Sequence, residues 1–136
     1  MPAYDPAMRT RTLTRIVGPY FIVAGVMFLV RQATLPTLLP AFMQDAPLVL
    51  ATGAFTLMAG LALVASHHHW TGPSATVISL VGVAATLKGA GLMIAPDLGA
   101  DMTAAVVRTP TVLLVAAGME LLVGLWLSYG GWLSEA

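Results

Sequence analysis

Residues 46–66, APLVLATGAFTLMAGLALVAS, hold no charged side chain, and at 1.5 Å per residue they make a helix about 31 Å long, the thickness of a bilayer's hydrocarbon core. Comparable apolar stretches occupy residues 14–31, 74–95 and 107–129. The chain is therefore expected to be all-α: one integral membrane four-helix bundle over residues 1–136, with a short interfacial segment between spans one and two. Composition agrees. A chain that is 58% hydrophobic and 9% charged, with mean hydropathy +0.88, has too little polar surface to cover a water-soluble globule. Six Lys/Arg balance six Asp/Glu without a basic cluster, so nucleic acid is not an expected partner, and the absence of cysteine excludes disulfides and thiolate chemistry.

Arg9, Arg11 and Arg15 precede the first span, and basic residues near a helix end are retained on the cytoplasmic side. This predicts a cytoplasmic N-terminus and, after four spans, a cytoplasmic C-terminus; the same arginines could mimic a signal peptide, but the first run leads into a proline-broken segment and further spans, so the first helix is expected to be kept. Arg31 and Arg108 oppose that orientation. Between Arg15 and Arg31 only Ile16 to Val30 are apolar, about 22 Å of helix, so both arginines must run their stems along the acyl boundary or the bilayer must thin locally. The segment 33–44 is broken by Pro36 and Pro40, yet Leu35, Leu38, Leu39, Phe42 and Met43 recur at helical spacing. A short interfacial helix and an apolar loop both fit. Asp45 with Pro47 can cap span two, Thr71 or Ser74 can cap span three, and the short 67–73 turn makes these two spans antiparallel neighbours. Trp126, Tyr129 and Trp132 mark the exit of span four at headgroup level.

Glycines seven residues apart, Gly18 and Gly25, Gly53 and Gly60, Gly82 and Gly89, lie on one face of three different spans and let another backbone approach closely. They are the expected helix-packing residues. Lys88 and Glu120 are the charges deep inside spans, and exposing either to lipid costs at least about 2.5 kcal/mol, so a buried charge pair is expected. His67, His68 and His69, backed by Trp70, form an expected interfacial polar cluster at the end of span two. Consecutive histidines on a helix point about 100° apart and make a poor tetrahedral site, so no metal is assigned to them. No nucleophile and base converge anywhere, so the chain carries no expected catalytic residue, enzymatic activity or cofactor.

Arg15-x-x-Gly18-x-Tyr20 with Gly25, a Gly53 and Gly60 span ending at a histidine, Trp70 beyond it, and Gly82 with Lys88-Gly89 before Pro96 together resemble a family of small, poorly characterised bacterial four-span membrane proteins. In that family a His-Asn pair marks the end of span two; here three histidines stand in its place. The resemblance implies a bundle in the bacterial inner membrane and no particular chemistry. The functional expectation is a structural or assembly protein in contact with membrane lipids, self-associating or accessory to a larger membrane complex. The rival expectation is a small transporter or ion- or proton-responsive protein using Lys88, Glu120 and the histidines.

Overall fold

An aspartate followed within two residues by proline opens two of the helices, because the carboxylate accepts an otherwise unpaired backbone N–H and proline needs none. In the computed structural model, which describes residues 5–134, Asp5 accepts from the amide of Ala7 at 2.9 Å and starts α1, Pro6–Val30. Asp45 accepts from Leu48 at 3.1 Å and starts α3, Ala46–Ser66. Span one thus begins well before residue 14. Its 25 residues make about 37 Å of helix, which removes the shortage created by Arg15. The polar residues of the added turns stay helical because Thr12 and Thr14 return their hydroxyls to the carbonyls of Met8 and Arg11, and the Thr10 hydroxyl has the carbonyl of Pro6 within reach at 3.1 Å.

The proline-containing 33–44 segment is a helix, α2, Leu35–Gln44, with Leu35 buried. Next come α4, Pro73–Ile94, α5, Pro96–Val107, and α6, Pro110–Ser128, which widens into a π turn at Tyr129–Leu133. Residues 96–106, between the third and fourth apolar stretches, are helical as well, because Pro96 sits in a first turn with Asp97 beside it. Neither Thr71 nor Ser74 caps α4. Gly72, at φ +97°, is the capping residue, and no side chain takes the role.

Four helices, α1, α3, α4 and α6, are long and apolar enough to cross a membrane, and at most 28% of any of these apolar stretches is buried within the chain. The remaining surface, with Val23, Phe55, Leu87 and Leu122 among its exposed side chains, is apolar and meets lipid. The spans associate as two hairpins: α3 lies along α4, α1 lies along α6, and α2 meets α5 at the end remote from His67. Between the hairpins sits one apolar cluster, Val17, Ile78 and Leu127, flanked by Phe21, Leu63, Val81 and Val123.

Glycine explains the pairing. A methyl on Gly53 would meet the carbonyl of Gly89 at 3.1 Å, and one on Gly89 would collide with the backbone of Leu57. In the other hairpin a methyl on Gly124 would meet the Ile22 amide at 2.7 Å and one on Gly25 the Leu121 amide at 2.9 Å. Lipid tails are as apolar as leucine, so close backbone approach is what makes one neighbour better than another. Span four accordingly pairs with span one, not with the lysine-bearing span three.

Candidate functional site

Helix α3 ends where His67 leaves helical geometry, at φ −147° and ψ 101°, while its amide still donates to Leu63 at 2.8 Å. The extended backbone turns the imidazole inward, where it is 1% exposed. Its Nε2 lies 2.8 Å from Thr10 Oγ1 on α1, and its Nδ1 lies 3.2 Å from Ser79 Oγ on α4. Ser79 in turn donates to the carbonyl of His69 at 2.9 Å. Arg9 on α1 donates to the carbonyl of Ser66, the last residue of α3, at 3.1 Å. One side chain therefore ties three spans together. His67 is no member of a surface cluster: His68 is exposed and His69 half-buried, their rings stacked at 5.2 Å, and Trp70 is exposed. Unwinding the last turn brings the His67 ring into the bundle, where it still meets the His69 ring edge-on with centroids 5.5 Å apart, and leaves His68 outside.

Burial, with the nearby charges of His69 and then His68 adding to it, holds the His67 imidazole below the ordinary value of 6.5, although its backbone hydrogen bond pulls the other way. Around pH 7 the ring is neutral. Ser79 uses its single hydrogen on His69, so Nδ1 carries the proton and donates to Ser79, which leaves Nε2 to accept from Thr10. Beside Thr10 opens a cavity of about 520 Å³ bordered by Asp5, Arg11, Thr14, Ser74 and Gly130. Among the described residues no group of three His, Cys, Asp or Glu side chains is placed to hold a metal ion.

Two arginines that the sequence offered only as orientation signals finish α6 at the same end. Arg15 Nε donates to the Gly131 carbonyl at 2.7 Å, its guanidinium lies 5.2 Å from the centre of the Trp132 ring, and Trp132 returns a hydrogen bond to the Arg15 carbonyl. Arg11 reaches the carbonyls of Gly131 and Ser134. Cations here satisfy carbonyls that a helix end leaves without partners.

Lys88 is exposed on α4 and Glu120 is half-buried on α6. No direct hydrogen bond or ion pair joins them among the described residues. The glycines are distributed between the two hairpins: Gly53, Gly60, Gly82 and Gly89 lie at the α3–α4 contact, and Gly18 and Gly25 at the α1–α6 contact. No family model, curated protein or solved structure matches the chain. What stands of the resemblance is its layout of four long apolar helices.

Proposed function

We propose that this membrane-embedded bundle is a non-enzymatic assembly unit that associates with a second copy of itself. The observation that carries the reading is Lys88, a charge within a span that lies on the outside of the bundle and is not joined to Glu120. Lipid gives such a group nothing to bond, and a neighbouring protein surface does. The surface beside it fits a helix: Ala84 and Gly91 flank Lys88 on α4, and a methyl on Gly91 would meet nothing within 4 Å. Ala116, one turn before Glu120 and exposed, offers similarly low relief on α6. A two-fold arrangement sets Lys88 of each copy against Glu120 of the other, and an isologous contact repeats every favourable pair twice. The arginine bias puts the His67 end of the protomer on the cytoplasmic side of a bacterial inner membrane in this reading.

The test is native mass spectrometry or single-molecule photobleaching in lipid nanodiscs. K88E alone and E120K alone should each weaken self-association about 10-fold, in line with measured strengths of polar contacts between membrane helices. Mixing the K88E chain with the E120K chain re-creates both opposite-charge contacts and should restore the dimer. A wild-type chain that stays monomeric as its surface density rises in the membrane would overturn the reading.

A further inference from the structure

We propose that His67 is a proton-controlled latch between the hairpins, closed when the imidazole is neutral and opened when a proton reaches it through Thr10. The α1–α4 contact is slight beside the contacts within each hairpin, and His67 bridges it with hydrogen bonds to Thr10 on one side and Ser79 on the other. In the neutral state one directed chain runs from Thr10 to His67, to Ser79 and on to the carbonyl of His69. A second proton on the ring makes both nitrogens donors. Thr10 must then turn its hydrogen away from His67, and the carbonyl of Pro6, 3.1 Å from its hydroxyl, is where it goes. Protonation thereby reverses the hydrogen-bond direction at the hairpin seam and places a cation in a site that is 1% exposed.

Among the described residues no charged side chain compensates that charge, and only the backbone hydrogen bond of His67 favours it. Its own segment supplies His68 and His69, both of which disfavour it. From α1 the ionisable groups at this end are Asp5, turned to the Ala7 amide, Arg9 on the Ser66 carbonyl, and Arg11 and Arg15 on the carbonyls closing α6. The first two turns of α4, from Pro73 to Ser79, contain no ionisable side chain, and the π turn contributes only Tyr129. No carboxylate is hydrogen-bonded to the imidazole among the described residues. Access is provided as well. Thr10 borders the 520 Å³ cavity, so a buried ring stands one hydroxyl away from a space roomy enough for water.

The direction follows from linkage. Because the folded ring binds a proton less readily than the unfolded one, its stabilising contribution is complete above pH 6.5 and is lost as pH falls below that value toward the lower folded value. The hairpins should separate on acidification at the His67 end, whatever the oligomeric state.

The natural lack of cysteine makes the measurement direct. Spin labels on the full-length chain at engineered cysteines replacing Met8 on α1 and Thr76 on α4 report the seam by electron-electron resonance in nanodiscs, while 15N-histidine NMR reports His67. The expected result is a label distance that grows between pH 7.5 and pH 5 with the midpoint at which His67 titrates. The H68Q/H69Q double variant should keep the response and raise its midpoint, and His67→Gln should remove it. A seam that stays closed while His67 titrates, or a His67→Gln variant that folds and retains the full response, would overturn the proposal. Should His67→Gln fail to fold, the wild-type titration and the H68Q/H69Q shift decide the matter.

Discussion

Gly89→Ala is the sharpest probe of how the α3–α4 hairpin is held. The new methyl would lie 2.6 Å from Leu57 Cα and 2.8 Å from the Gly53 carbonyl oxygen, and it would be closer still to the Leu57 amide. All three neighbours are backbone, so no side-chain rotation relieves the clash. Restoring an ordinary contact of 3.4 Å to Leu57 Cα requires the helices to part by about 0.8 Å. A radial gap of that size forfeits between a quarter and a half of each dispersion contact along the seam. Overpacking of this kind costs about 1–3 kcal/mol, and the better helix propensity of alanine returns less than about 1 kcal/mol of it. For a chain of this length the net loss lowers the melting temperature by roughly 3–10 °C. The internal control is Gly91→Ala, two residues further along the same helix, where a methyl meets nothing within 4 Å inside one protomer and, in a detergent that holds the chain monomeric, the propensity gain stands alone. Thermal melts of the two variants in the same detergent, read by near-ultraviolet circular dichroism, should move in opposite directions or leave Gly91→Ala unchanged. Equal losses in both, or a Gly89→Ala variant as stable as the natural chain, would refute the argument that backbone contact at glycine sets this pairing.

Arg15→Met should keep the apolar stem while removing the 2.7 Å bond to Gly131 and the Trp132 contact, at a cost of about 1–3 kcal/mol; faster amide exchange confined to residues 129–134 would register it. Ser128→Ala should be neutral or stabilising by up to about 1 kcal/mol in a detergent melt, because the Ser128 hydroxyl is buried without a hydrogen-bond partner and crowds Gly18.

The span count was legible because it depends on length and on the absence of charge, both of which sequence displays directly. Asp45–Pro47 was equally legible as a helix start, and Asp5–Pro6 spells the same signal; the apolar window simply drew attention past it to residue 14. Gly18, Gly25, Gly53, Gly60, Gly82 and Gly89 could be recognised as packing residues one helix at a time. Their partners could not, because a glycine face states how closely a neighbour comes and not which neighbour it is. Gly124 illustrates the gap: it sits seven residues before Gly131 in span four, the same spacing as the other pairs, and both meet α1. For Lys88 and Glu120 the sequence supplied depth along the helix axis without the rotation that leaves Lys88 outside. His67 was hidden by its neighbours, since three identical residues invite one shared reading while a single change of backbone geometry separates them. Ser79 was the available clue, a hydroxyl deeper in α4 than Ser74 and Thr76, at a depth where it needs a partner.

The distribution of contacts gives the two hairpin seams different characters. Within each hairpin, backbone meets backbone over much of the helix length, and such contacts are insensitive to pH and leave little room for adjustment. Across the hairpins, the shared apolar cluster of Val17, Ile78 and Leu127 lies toward one end, and beyond it the junction is polar: Thr10, His67 and Ser79. Dispersion alone is a weak discriminator in lipid, so the hydrogen bonds of His67 carry weight out of proportion to their number. A bundle whose internal pairs are rigid and whose common seam is small and titratable changes shape by moving one hairpin against the other, with the Val17 cluster as the fulcrum. Lys88 and Glu120 lie on opposite hairpins, so the same movement alters the spacing between them. A proton taken up by His67 would then be felt at the surface proposed for self-association, which predicts that the dimer of the natural chain weakens below pH 6.5 and that the dimer of a folded His67→Gln chain does not.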